Sequence, residues 1–491
     1  MSAPFSAHPP PSARPKPARP APHAPSLESV TTINEDGSHY KLHPADSRGR
    51  FLLWRRLSAW VLFAIYLSLP WIPVDGYPAV LLDVANSRFH FFGYTLAAQD
   101  TWLLFFAVTG LGFSLFFVTA LLGRIWCGWA CPQTVFLEHV YRALERMIEG
   151  DAPARRALDA APWSGAKLAR RLAKHAAYVA VSLVIAHLFL AYFVSIPELW
   201  SFMRSAPGEH WAAFVFVFLF AGILYFNFSW FREQLCIVIC PYGRLQSALT
   251  DDHTLTIGYD AKRGEPRGKL GTAGAGDCVA CNRCVQVCPT GIDIRHGLQL
   301  ECIGCAACID ACDEVMTRIH RPTGLIRYDS LAGLGGGRTR WVRPRTIVYA
   351  VLLFIGAAVA AFAYTTVKPA SFLVYRMGGG AYFVDREIVR NQFMVRLLNK
   401  RSDAAAFEVQ VDAPGYVHRS GLEQPVTLAP MAEQVTPLVL TVDRGRYEGS
   451  FKFVVRVRDI AGQFTLQREV EFLGPDPRLL QEEDHDKGIK R

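Results

Sequence analysis

The 491-residue chain has no cysteine before Cys127 and none after Cys312. The C-terminal third therefore carries neither a disulfide nor a thiolate-bound metal, and it tolerates an oxidising compartment. Basic residues are equally scarce in two stretches: residues 73–100 contain only Arg88, and residues 196–210 only Arg204. No flavin or nicotinamide fingerprint is present. The glycine-rich run from Gly333 to Gly337 is followed by no P-loop lysine and reads as a linker. Residues 1–50 lack the compact positive start, apolar core and cleavage site of a signal peptide, and are expected to be a disordered tail. The net charge of +9 does not imply nucleic acid, because the Lys and Arg residues cluster beside apolar segments; no nucleic-acid partner is expected.

Apolar residues make up 51% of the chain, and they are concentrated in five runs, roughly 54–72, 101–122, 175–195, 211–231 and 346–366. Each is long enough to cross ~30 Å of hydrocarbon as a helix. Arg48, Arg50, Arg55 and Arg56 precede or open the first run, and Arg124, Arg142, Arg146, Arg155, Arg156, Lys167, Arg170, Arg171 and Lys174 follow the second. The positive-inside rule then places the N-terminus and the segment between runs four and five in the cytoplasm, and sends the C-terminus outward. Trp54, Trp71 and Trp230 read as interfacial anchors.

Eight of the twelve cysteines form two copies of C-x2-C-x2-C-x3-C: Cys278, Cys281, Cys284 and Cys288, then Cys302, Cys305, Cys308 and Cys312. This is the spacing of a two-cluster ferredoxin, in which the last cysteine of each run crosses over. One [4Fe–4S] cluster is thus expected on Cys278, Cys281, Cys284 and Cys312, and a second on Cys288, Cys302, Cys305 and Cys308. The alternative, zinc, usually pairs C-x2-C knuckles about 15 residues apart. The second run ends in Cys312-Asp313 where ferredoxins have Cys-Pro. Thiolate ligands need a reducing compartment, which agrees with the orientation read from charge.

The other four cysteines form two C-x3-C-P motifs, Cys127 to Pro132 and Cys236 to Pro241, each where an apolar run ends on the cytoplasmic side. On a continuous helix the two cysteines of a motif would share a face, and the proline would end or kink it. Two such pairs suit copper as Cu(I), a dithiol redox couple, zinc or an additional iron–sulfur centre. The blander reading is four small apolar residues. His187 lies in the third run and reads as satisfied by a neighbouring helix, with haem or quinone as the functional alternative. His139 falls near the face of Cys131, and Glu138 and Glu233 read as solvated boundary residues.

Beyond residue 367 the pattern alternates with period two, at 392–398, 406–411, 436–442, 450–457 and 464–472, which predicts an antiparallel sandwich. The chain reads as a multi-domain membrane protein: an α-helical bundle of five spans, a ferredoxin-like insert and a C-terminal immunoglobulin-like β-sandwich. The expected domains are 1–50, a cytoplasmic tail; 51–245, four spans with both C-x3-C-P motifs; 246–345, the ferredoxin-like domain; 346–366, the fifth span; 367–475, the sandwich; and 476–491, a disordered tail.

This order of parts resembles the FixG/CcoG family of accessory proteins for cbb-type cytochrome oxidase, most tellingly in residues 123–133, 232–243 and 301–312. NapH-type and NosR proteins share the motif combination, and the sandwich favours FixG/CcoG. The resemblance implies a cupric reductase of the bacterial inner membrane with its sandwich in the periplasm. It would supply Cu(I) to the oxidase alongside assembly factors and copper-handling proteins, with Cys127, Cys131, Cys236 and Cys240 as the copper site. A quinol-oxidising respiratory subunit and a non-catalytic, metal-storing scaffold are the alternatives; the electron donor is unknown.

Overall fold

The structure is a computed structural model that describes residues 41–486 apart from 75, 87, 98–101, 366–367, 402 and 463. Residues 1–40 of the expected tail lie outside the described residues. Two compact units are formed, one from residues up to Leu69 with Val108–Ala357, the other from Pro70–Ala107 with Ala358 onward.

Five helices are long and apolar enough to cross a membrane: Arg50–Ser68, Trp102–Leu122, Gly165–Leu190, Trp211–Phe231 and Pro344–Phe362. They are spans one to five. Trp54, Trp71 and Trp230 are exposed, as anchors facing lipid headgroups would be. Span three begins at Gly165, well before the expected 175, because the Ser164 side chain accepts from the Lys167 N–H and caps the helix. Its first turns are charged, yet Lys167 and Lys174 are buried. Spans three and four pack through Ala186, Leu190, Val217 and Ala221, small residues letting the backbones approach.

In the first unit the spans frame a buried ionic lattice. Glu145 pairs with Arg155 at 3.0 Å and with Arg232 at 3.1 Å; Glu233 pairs with Arg142 at 3.1 Å; Glu149 pairs with Arg171 and Lys174 at 2.8 and 2.9 Å. Glu233 is 2% exposed, and Glu138 pairs with Arg142, so neither is the solvated boundary residue expected. Burial alone would raise the Glu145 carboxyl; Arg232, Lys174, Arg155 and Arg142 outweigh it and hold it down at about 2.

The ferredoxin-like region is built on one antiparallel pair, Thr256–Tyr259 with Ile326–Asp329, and on two helices, Arg283–Gln286 and Ala307–Arg318. Asp313, the departure from Cys-Pro, accepts the Gly324 N–H at 2.8 Å and so fixes the next turn. The end of the expected tail is also ordered: Leu42 and His43 are buried, and Ala45 N–H donates to Gln286 O. Asp310 accepts the N–H groups of Phe51 and Leu52 at 3.2 and 2.8 Å, capping the first turn of span one from far along the chain. The Gly333 to Gly337 run is not a bare linker, since it opens in a helical turn, Leu331–Leu334, capped by Ser330.

In the second unit two antiparallel sheets form the sandwich. One orders Val417–Ser420, Glu433–Asp443, Ile388–Asn399 and Ala370–Arg376; the other orders Val426–Leu428, Ala405–Asp412, Phe451–Asp459 and Thr465–Phe472. Alternate residues Val389, Phe393, Val395 and Leu397 face Phe407, Val455 and Val457 in one core, as period-two patterning demands. The helix Pro477–Asp486 falls where a disordered tail was expected, and Leu480 is buried in that core. A meander, Val80–Asp83, Arg88–Phe91 and Tyr94–Ala97, was not foreseen. Arg88, the one basic residue of that stretch, donates to Met431 O at 2.9 Å.

Candidate functional site

The two ferredoxin runs fold alike. In the first, Ala280 and Asn282 take φ of 54° and 56°; in the second, Gly304 and Ala306 take 66° and 62°. These are the same offsets from the first cysteine of each run. Alternating right- and left-handed residues turn successive N–H groups toward one point, the nest that cradles anionic iron–sulfur groups. Most of these residues carry a Cβ, so the strain is not a glycine's freedom but a local requirement.

Each nest borders a cavity. Cys278, Cys281, Cys284 and Cys312 line one, with Arg283 and Arg295; Cys288, Cys302, Cys305 and Cys308 line the other, with Cys284 at its edge. The two cavities are of nearly equal size. Thus three cysteines of each run meet the last cysteine of the other, the crossed arrangement expected. Burial pushes the thiols of Cys302 and Cys312 up to about 12 and that of Cys284 to about 11. As free thiols they stay protonated at neutral pH, so only bound metal makes them thiolates. Cys281 alone of the eight is exposed.

The two C-x3-C-P segments are not continuous helices, which corrects the expected shared face. Cys127 lies in a short turn of helix, Ile125–Trp129, and Cys131 is extended at the N-cap of Pro132–Phe136. Cys236 lies in the π-helical turn Leu235–Ile239, and Cys240 is extended at the N-cap of Pro241–Leu249. Proline has no N–H to lose at the first helical position and drives the residue before it out of helical conformation. It therefore starts a helix in both places.

The structure brings the two pairs together. Gln133 Nε2 donates to Arg232 O at 2.9 Å, Arg124 donates to Gly243 O at 2.6 Å, and the Cys127 thiol faces Gln246 Oε1 at 4.0 Å. Cys236 lies within electrostatic reach of Cys131, Cys127 and Cys240. Burial pushes Cys127 and Cys236 up to about 12, with neighbouring cysteines adding to it. Among the described residues, no three His, Cys, Asp or Glu side chains converge as a single bound ion would require.

The first C-x3-C-P loop also seats on the second ferredoxin loop. A Cβ at Gly128 would lie 2.7 Å from Ile303 O and 2.8 Å from Cys305 Cα, and one at Gly304 3.0 Å from Arg124 O. Cys127 packs against the buried cluster of Val287, Ile303, Cys305, Ala307 and Ala311. Arg55, 4% exposed, donates its Nε to Gly128 O at 3.1 Å, while its Nη2 is buried without a partner. Trp129 Nε1 donates to Tyr328 Oη, which donates to Gly304 O. Sequence reading gave Gly128 and Tyr328 no role and took Arg55 only as a basic flank of the first span; Gly128 is an unspecified position of the first C-x3-C-P motif.

His139 lies in the π-helical turn Leu137–Tyr141, and burial with Arg55 nearby lowers it to about 4, so it is neutral. His187 is not satisfied by a neighbouring helix: its Nδ1 is 2.8 Å from Leu183 O of its own helix. It lines an apolar pocket with His210, Phe202, Phe214 and Phe218.

Residues 231–331 match the model of a 4Fe-4S dicluster domain, 101–149 that of a 4Fe-4S binding domain, and 360–475 that of the IG-like fold at the C-terminus of FixG. Protein RdxA of Cereibacter sphaeroides is 37% identical over 432 residues, 82% of this chain and 90% of the relative. Nitrogen fixation protein FixG of Rhizobium meliloti is 36% identical over 481 residues, 86% of this chain and 90% of the relative. Ferredoxin-type protein NapH of Haemophilus influenzae is 28% identical, covering 54% of this chain and 88% of the relative. With spans, clustered cysteines and sandwich all accounted for, the chain belongs to the FixG/CcoG family and is a membrane iron–sulfur electron-transfer protein.

Proposed function

We propose that the protein is a cupric reductase of the bacterial inner membrane, reducing Cu(II) to Cu(I) for the copper centre of cbb-type cytochrome oxidase. Each Cu(II) ion takes one electron, supplied by an external donor. Cys278, Cys281, Cys284 and Cys312 hold one [4Fe–4S] cluster in this reading, and Cys288, Cys302, Cys305 and Cys308 the other. Such clusters supply one-electron storage and transfer. The residues of the chain hold the ligands, keep water out and set the contacts between sites.

The observation that carries the reading is the seating of the Gly128 backbone on Cys305, beside Cys127. It joins the inner ferredoxin loop to four soft sulfur ligands, the donors that favour Cu(I), and these four cysteines are the proposed place where electrons meet copper. The names FixG and RdxA support the family; copper as substrate is our reading. The basic flanks of the spans favour a cytoplasmic N-terminus and ferredoxin-like region and a periplasmic sandwich. The proposed domains are 51–245, 246–345, 346–366 and 367–475, and oxidase assembly factors and copper-handling proteins are the proposed partners.

The quinol reading has an observation of its own in the pocket of His187 and His210. Among the described residues, no cysteine lines that pocket. Copper is therefore preferred. The test is anaerobic addition of Cu(II) to dithionite-reduced protein, following cluster absorbance and Cu(I) chelation together. Stoichiometric oxidation matched by Cu(I), renewed at each addition of reductant, is expected. Clusters that stay reduced in Cu(II) and discharge into a quinone would overturn the reading.

A further inference from the structure

The two C-x3-C-P segments repeat each other in backbone as well as in sequence. Four residues before the first cysteine stands a left-handed residue, Gly123 at φ 56° and Arg232 at φ 50°. Cys127 N–H donates to Arg124 O and Cys236 N–H to Glu233 O, both at 3.1 Å; Cys131 N–H then donates to Trp126 O at 2.9 Å and Cys240 N–H to Leu235 O at 2.8 Å. The second cysteine of each is extended, with ψ of 125° and 111°, and proline follows at the first position of a helix. Arg232, at φ 50° and ψ −119°, is strained for a residue with a side chain.

Each segment offers two sulfurs, and the cross-links Gln133 to Arg232 and Arg124 to Gly243 lock the pairs face to face. A single soft ion needs its ligands gathered at ~2.3 Å from one point, and no such gathering exists among the described residues. The ferredoxin sets do not gather that way either; they spread around cavities. The 4Fe-4S model on residues 101–149 covers only two cysteines of this chain, too few for a cube. Cys236 and Cys240 supply the rest.

We infer that Cys127, Cys131, Cys236 and Cys240 hold a third four-iron cluster, shared between the segments that follow spans two and four. If they do, Cu(II) takes its electron beside the cluster, and this replaces the direct copper–thiolate site proposed above. The inference stands whether or not copper is the acceptor.

Iron and acid-labile sulfide are measured in anaerobically purified full-length protein and in the Cys127→Ser/Cys236→Ser double variant. About 12 irons per chain in the wild type and about 8 in the variant are expected for three and two four-iron clusters. About 8 irons in the wild type, or equal iron in both proteins, would overturn the inference. If the variant loses all iron through misfolding, spin integration of the fully reduced wild type decides, three cluster spins supporting the inference and two refuting it. Copper reduction by a protein with only two clusters would leave the reductase standing alone, and three clusters without copper reduction the reverse.

Discussion

Alanine at Gly128 adds one methyl group where the chain has no room. Its Cβ would lie 2.7 Å from Ile303 O and 2.8 and 2.9 Å from Cys305 Cα and N. All three are backbone atoms, so no side-chain rotation relieves the clash. Ordinary contact lies near ~3.5 Å, so the loops must part by roughly 0.8 Å at the closest point. Overpacking of this kind costs ~1–3 kcal/mol, and helical alanine regains ~0.5–1 kcal/mol over glycine. The net loss of up to about 2.5 kcal/mol should lower the melting temperature by a few degrees. Gly222→Ala in span four, whose Cβ would meet nothing within 4 Å, is the control and should melt at or above the wild type. Thermal unfolding in detergent at equal iron content reads the stability, and stopped-flow reoxidation of reduced protein by Cu(II) reads the contact between sites. Gly128→Ala that melts with the wild type and reoxidises at its rate would refute the seating of this loop.

The ionic lattice and the crossed ligands give the remaining predictions. Glu145→Gln leaves buried Arg232 and Arg155 facing a neutral amide, and breaking a buried pair costs ~3–5 kcal/mol; an unchanged denaturation midpoint would contradict the burial. The pH dependence has a definite sign. With its carboxyl held down at about 2 against an ordinary 4.5, Glu145 contributes stability that is fully present above pH 4.5 and lost as pH falls toward 2. Melting profiles of wild type and Glu145→Gln should converge across that window, and parallel profiles would sink the assignment. Cys312→Ser should alter the same reduced-cluster signal as Cys278→Ser, and Cys288→Ser the same one as Cys305→Ser. A pairing by run order instead would mean that the ligands do not cross.

Cysteine spacing announced the two groups of four that line the cavities, because the loop geometry that turns three cysteines together is local to each run. The sandwich was likewise legible in its long strands, where burial alternates. Short strands such as Val426–Leu428 hold too few residues for a period to show. The basic residues after span two carried two messages at once. They favour one membrane orientation, but Arg142, Arg155, Arg171 and Lys174 are also partners of Glu145, Glu149 and Glu233, and pairs 10 to 91 residues apart leave no local pattern. Proline after the second cysteine was read as an end to a helix when it is a beginning, since its missing N–H suits either role. Gly128 was silent because a close approach is a property of two loops.

Span one has its first turn capped by Asp310, which lies between Cys308 and Cys312 and is made some 260 residues later. During synthesis that helix waits with open N–H groups until the ferredoxin-like region exists. The order of the chain's earliest helix thus rests on a side chain from the middle of the second cysteine run.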